Sequence, residues 1–360
     1  MTFTTLKSRA FVSWVVLIAS STLMMLLLEL IGIPGSMLLG PIAVGIVFGL
    51  RNIRLRFSGS LRTMAQGITG VLIAQSLRPD TFLELAQYWE AALSVVGVTL
   101  LAAIAVGALI GRFSALPFEE AVWGFLPGMA TAVIAMSEER KLDARAVAVV
   151  QVVRLLVVIV GMSILATVLR VSSPEASAET SLFTWEHLVS VGLVAISILA
   201  HRYATFVPAA AMMVPMMAGV VCKAIGLDFA LPHEVIFCGY FVIGAGVGLG
   251  FDLNLIRSAG RALPALVGAA VLLVTLGASM GAGLGMLFGL DPLSSVLSAV
   301  PGSVDAVAAI AYSTGSDLSF IMALQVFRLF AVVMFGPPIA RYVAERFQAM
   351  RAKEQPEGLK

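Results

Sequence analysis

Two proline-glycine pairs, Pro127-Gly128 and Pro301-Gly302, stand 174 residues apart, each inside a long apolar run. Proline removes an intrahelical hydrogen bond and glycine permits a reversal, so each pair is expected to break a helix. Beyond such a break the next helical arm starts with unpaired N–H groups and the positive end of its dipole, which suits an anion. The copies then differ. The first reads Pro127-Gly128-Met129-Ala130-Thr131, and the second reads Pro301-Gly302-Ser303-Val304-Asp305. A carboxylate at that depth in hydrocarbon must pair, protonate or bind a cation. Asp305 is therefore the candidate for proton or cation coupling, and capping of its own helix is the alternative role.

Arg154 follows Asp143, and Arg328 follows Asp317, at the same spacing of 11 residues. That spacing is about three turns, so each arginine lies ~16 Å deep on the helical face of its aspartate. Gln151 and Gln325, three residues earlier, share that face. A mid-span arginine costs about 2.5 to 3.5 kcal/mol on insertion scales, which requires partners. Three are open: a solute carboxylate, Asp305, or carbonyls freed at a broken helix. The candidate solute or ion site thus comprises Pro127, Gly128, Thr131, Gln151, Arg154, Pro301, Gly302, Ser303, Asp305, Gln325 and Arg328. No residue is assigned as catalytic or metal-binding, and no resident cofactor is expected.

The elements that must carry these residues are membrane spans. Of 360 residues 59% are apolar and 12% charged, against about 25% charged in soluble domains. A net charge of +2 from 23 basic and 21 acidic groups forms no basic stripe, so nucleic acid is not an expected partner. Six apolar runs occupy roughly 11–33, 36–50, 60–77, 85–111, 118–138 and 142–170, and six more occupy 185–206, 208–224, 235–251, 262–289, 292–313 and 317–345. The first run is longer than a signal-peptide core and reads as a retained anchor. The chain matches itself at one shift of 174 residues, with Pro34, Pro41, Gly45 and Gly70 falling on Pro208, Pro215, Gly219 and Gly244. The expected units are a first membrane repeat (1–171), a periplasmic linker (172–184), a second repeat (185–345) and a charged, solvated cytoplasmic tail (346–360).

An odd number of crossings per repeat would invert the second copy, and the fifth run decides it. From Phe118 to Pro127 is ~13 Å of helix, near half the hydrocarbon thickness, which fits a re-entrant hairpin with its tip at the midplane. If all six runs cross, 14 of 21 lysines and arginines outside the spans face inward; if runs five and eleven are re-entrant, 18 do. Short cytoplasmic loops carry the excess of basic residues, so the inverted arrangement is expected, with both termini cytoplasmic. The fold class is an all-α, multi-pass protein of a bacterial inner membrane, made of two inverted repeats. Each has about five spanning helices and one Pro-Gly-broken or re-entrant helix.

Two broken helices in corresponding positions point to a secondary transporter. The expected partners are the bilayer and a small-molecule solute, and a homo-oligomer is left open. Cys222 and Cys238 lack the spacing of a metal or disulfide framework and read as small buried apolar residues. Gly277, Gly281, Gly285 and Gly289 on one helix read as a close-packing face.

The segments PGMATAVIAMSEERKLDARAVAVVQVVRLLVVIVG (127–161) and PGSVDAVAAIAYSTGSDLSFIMALQVFRLF (301–330) resemble the duplicated membrane domain of the AbrB family. The resemblance extends over nearly the whole chain. It implies inverted repeats and interrupted helices of the secondary-transporter kind, although members carry names such as ammonia monooxygenase or regulator of aidB expression. An oxygenase metal would need clustered ligands, while His187, His201 and His233 are far apart. No segment outside the spans is long enough for a DNA-binding module, so an effect on gene expression would be indirect. The family's second glycine after Pro-Gly is replaced here by Met129 and Ser303. Its usual acidic position in the first copy is Thr131, so any family role of a carboxylate rests on Asp305.

Overall fold

The computed structural model describes residues 3–53, 55–77, 89–127, 140–169, 185–204, 209–251, 260–289 and 291–354, with isolated positions 133, 137, 138, 207 and 257. Among these residues there are thirteen α-helices and no strand. In chain order they are α1 (Phe3–Leu30), α2 (Ser36–Leu50), α3 (Gly59–Ser76), α4 (Trp89–Phe113), α5 (Phe118–Phe125), α6 (Ala144–Val168), α7 (Trp185–Tyr203), α8 (Ala210–Ala224), α9 (His233–Leu249), α10 (Leu263–Phe288), α11 (Pro292–Ala299), α12 (Val304–Thr314) and α13 (Leu318–Glu354). Five stretches, Phe11–Leu30, Ala92–Phe113, Ala144–Val168, Gly260–Leu287 and Leu318–Phe347, are long and apolar enough to cross a membrane. The chain has the makeup of a helical membrane protein.

Helix boundaries recur at the 174-residue shift. The starts at 36, 59, 89, 118 and 144 return at 210, 233, 263, 292 and 318. The backbone repeats as well, including where the side chain does not. Left-handed conformation occurs at Gly35 and Ala209, at Asn52 and Gly226, and at Lys141 and Gly315, so each pair sets a glycine against another residue at the same turn. A non-glycine residue pays for that conformation, so both copies hold a backbone geometry that only one holds cheaply.

The two sets interlock. Helix α2 packs on α9, and α8 packs on α3, which is the same crossing with the copies exchanged. Glycines set the approach: a Cβ at Gly244 would fall 2.6 Å from the Leu38 carbonyl oxygen, and one at Gly45 would fall 3.0 Å from Gly248 Cα. The glycine face of α10 receives α11, since a Cβ at Gly281 would fall 2.6 Å from Val296 Cα; its counterpart Gly107 meets Val122 of α5 in the same way. Gly289, by contrast, ends α10 in a left-handed cap, where an added Cβ would meet nothing within 4 Å. The largest core cluster draws on both sets, joining Leu72, Ile159, Met213, Leu297 and Met322.

Two details differ from the sequence reading. The segment expected as a solvated tail from Arg346 continues α13 to Glu354, because nothing in it breaks the helix, and Phe347 stacks on Phe118 at 3.7 Å between centroids. Cys238 is exposed on the protein surface rather than buried, and Cys222 is partly buried. An apolar environment in a membrane protein can be lipid as well as protein, so an apolar run does not report burial against other helices. The expected linker 172–184 lies outside the described residues.

Candidate functional site

Helix α5 stops at Phe125 for a local reason. Leu126 precedes Pro127 and takes extended angles (φ −55°, ψ 123°), and Val300 does the same before Pro301 (φ −68°, ψ 131°). Residues before proline are driven out of the helical region by the ring. Past the second break, Ser303 is the N-cap of α12 and its hydroxyl accepts from the Ala306 N–H at 3.2 Å. The capping role considered for Asp305 thus belongs to Ser303, and Asp305 sits in the first turn.

Each break frees carbonyls at the end of a half-length helix, and each set is taken by an arginine from elsewhere. Arg154 on α6 donates to the carbonyls of Phe125 at 3.0 Å and Leu126 at 2.7 Å. It also donates to Gln151 Oε1 at 2.8 Å, while Gln151 Nε2 reaches the Leu126 carbonyl at 3.3 Å. Arg328 on α13 donates to the carbonyls of Val300 at 2.8 Å and Gly302 at 3.0 Å, and Gln325 Nε2 donates to that of Leu297 at 2.9 Å. Leu126 and Val300 are equivalent positions. Of the three partners open from sequence, the freed carbonyls are the ones observed. All four polar side chains are buried. A charged donor on an otherwise orphaned carbonyl removes a desolvation cost, although Arg154 Nε and Gln325 Oε1 stay buried without a hydrogen-bond partner.

A cavity of about 220 Å³ lies where these elements converge. It is lined by Pro127, Gln151, Arg154, Gly302, Ser303, Asp305 and Arg328 among the expected residues. Pro301 and Gln325 are buried outside its lining. Gly128 and Thr131 lie outside the described residues. The sequence reading did not include Gln66 of α3, Ala209 at the N-cap of α8, Met212 of α8, or Ile243 and Val247 of α9, which also line the wall. Gln66 was detectable as a lone amide within an apolar run. Ala209 was not, since its left-handed backbone (φ 55°) is invisible in an alanine.

The Oδ1 atom of Asp305 is buried and has no hydrogen-bond partner. The Thr69 hydroxyl stands beside this carboxyl, and Tyr240, whose own hydroxyl is buried and unpartnered, lies within its electrostatic reach. The two guanidiniums are within electrostatic reach of each other. The cavity therefore presents two arginines against one carboxyl. Among the described residues no three His, Cys, Asp or Glu side chains gather as a metal site.

A helical protein of membrane type, with a small, mainly apolar cavity that holds two arginines and a carboxyl at two paired helix breaks, is the class these observations define. The chain belongs to the AbrB family: the family model described as "Transition state regulatory protein AbrB" matches residues 37–344. It is 34% identical over 337 residues to "Putative regulator AbrB" of Escherichia coli (strain K12), covering 92% of this chain and 96% of that one. It is 23% identical over 296 residues to "Uncharacterized protein YhjN" of Bacillus subtilis (strain 168), covering 77% of each.

Proposed function

We propose that the chain is a secondary transporter or exporter of a small anionic solute, built as two inverted repeats with one re-entrant helix each, and that the solute binds in the cavity between the two breaks. The observation that carries this reading is the single cavity lined by both Pro-Gly breaks, both mid-helix arginines and Asp305. Interrupted helices of equivalent position around one pocket with a few convergent charged groups are the architecture of alternating access. An anion fits the electrostatics, since it relieves the repulsion of two guanidiniums and faces the N-terminal end of α12, whose first residues Ser303, Val304 and Asp305 line the pocket. Asp305 supplies a carboxyl able to take up a proton or a cation as the site changes state.

Re-entry is supported by where the arms end. The Asp317 N–H, at the start of α13, bonds the Ser294 hydroxyl at the start of α11, and Asp143 N–H bonds Glu120 Oε1 at 3.4 Å in the first copy. In each copy the residue before the later helix thus lies beside the first turn of the half-length helix, as a re-entrant arm requires. The two copies also meet where the Gly35 N–H donates to Ser313 Oγ at 2.8 Å, with Ile310 against Gly35.

The test is uptake into proteoliposomes across a panel of small carboxylates, phosphates and neutral controls, with and without a pH gradient. Accumulation of no anion in either condition overturns the reading. A second reading, an indirect regulator of gene expression, is favoured by the printed name of the Escherichia coli relative. It is distinguished by reporter phenotypes that survive Asp305→Asn and Arg328→Ala, which transport-dependent regulation would not.

A further inference from the structure

Away from the central cavity, two hollows meet at Arg56 and Phe57. One, of about 460 Å³, is an apolar groove walled by Trp14 and Ile18 of α1, Leu61 of α3, and Phe237 and Phe241 of α9. Its floor is an aromatic chain, with Trp14 edge-on to Phe57 at 4.9 Å and Phe57 edge-on to Phe241 at 6.2 Å. The other, of about 490 Å³, is a basin holding Arg56, Arg62 and Asn52 beside the main chain of Gly246 and Gly250. Both arginines are exposed, and among the described residues no acidic side chain lines either hollow.

We propose that this paired hollow is a binding site for one anionic phospholipid, with its phosphate between Arg56 and Arg62 and an acyl chain along Trp14, Phe57 and Phe241. A second copy of the chain would leave two like-charged guanidiniums facing a symmetry mate's own pair. A zwitterionic lipid would bring a cationic group into the same basin. Only an amphiphile with a net negative head satisfies both compartments at once. The position agrees with the charge count, which assigns the 51–62 segment, rich in arginine (Arg51, Arg54, Arg56, Arg62), to the cytoplasmic face. Basic pockets between spanning helices on that face are where anionic headgroups bind. The site is independent of the transport reading, since it shares no lining residue with the central cavity, although α3 and α9 contribute to both.

The experiment uses the full chain in phosphatidylcholine vesicles containing brominated phosphatidylglycerol or brominated phosphatidylcholine, with Trp14 fluorescence isolated by subtracting the Trp14→Phe variant. Brominated phosphatidylglycerol is expected to quench Trp14 in excess, and Arg56→Gln with Arg62→Gln to remove the excess, with selectivity falling about fivefold per arginine. Equal quenching by the two lipids means unselective annular contact and overturns the proposal. Absence of quenching by both means the groove is covered, by a second copy or otherwise, and also overturns it. Should Trp14→Phe fail to fold, the phosphatidylglycerol co-purifying with the native chain is compared with that of the double arginine variant. An unchanged ratio there overturns the proposal too.

Discussion

The main-chain N–H of Asp317 donates to the Ser294 hydroxyl at 3.0 Å, although a helix, a break and a second helix separate them. An eight-residue arm rises ~12 Å and an eleven-residue arm returns ~16 Å, so neither crosses ~30 Å of hydrocarbon alone. The bond joins the start of α13 to the first turn of α11. The break between the two arms is then left deep in the protein, where freed carbonyls need the arginines that reach them.

The clamps predict a matched pair of stability losses. Arg154→Lys and Arg328→Lys each replace a two-carbonyl fork with a point charge, and hydrogen bonds of this charge-assisted kind contribute about 1.5–3 kcal/mol each. Thermal unfolding in detergent should show a comparable drop in midpoint for both. An unchanged midpoint for either would mean that the half-helix ends do not depend on their arginine.

Asp305→Asn is expected to behave differently. Its Oδ1 has no partner, and asparagine keeps an oxygen that can accept from the Thr69 hydroxyl beside it, so the fold should be retained by elution profile and melting. The response of solute uptake to an imposed pH gradient should vanish. Retention of that response would remove Asp305 from coupling.

Inverted insertion places Lys141 and Gly315 on opposite faces of the membrane. Both are exposed and left-handed (φ 61° and 64°), and Lys141 demonstrates that the turn accepts a side chain. In a background lacking Cys222 and Cys238, cysteine at 141 should react with a membrane-impermeant maleimide only from the cytoplasm, and cysteine at 315 only from outside. Labelling of both from one side would make the repeats parallel.

Glycine-dependent packing is testable by contrast. Gly281→Val and Gly107→Val drive a side chain into the backbone of a half-helix, with Cβ atoms 2.6 Å from Val296 Cα and 2.8 Å from Val122 Cα. Overpacking of this kind costs about 1–3 kcal/mol or more. Gly283→Val, which meets nothing within 4 Å, should leave the melting midpoint unchanged. Equal effects at all three positions would sink the assignment of the α10 face.

What could be read in the sequence was what periodic chemistry records. Pro127, Pro301, Arg154, Arg328, Gln151 and Gln325 are polar or conformationally restricted residues in apolar runs, so a single shift exposed them and their depth followed from helical rise. The partners of the arginines did not follow, because a carbonyl belongs to every residue and carries no letter. The left-handed turns at Ala209, Asn52 and Lys141 were hidden for a related reason, as only glycine advertises that geometry. Cys238 was misjudged because apolar surroundings do not distinguish lipid from protein. The cavity wall from Gln66, Met212 and Ile243 required knowing that α3, α8 and α9 face the breaks, which is a matter of tertiary packing.

The exchanged crossings, α2 on α9 and α8 on α3, bear on how such a chain could have arisen. A single unit of this kind, made alone, would present glycine-lined helix faces with nothing to close on, and a central cavity with half a wall. Before any fusion of two genes, its product would have had to assemble in pairs. In the present polypeptide the two faces that must meet are carried on one chain.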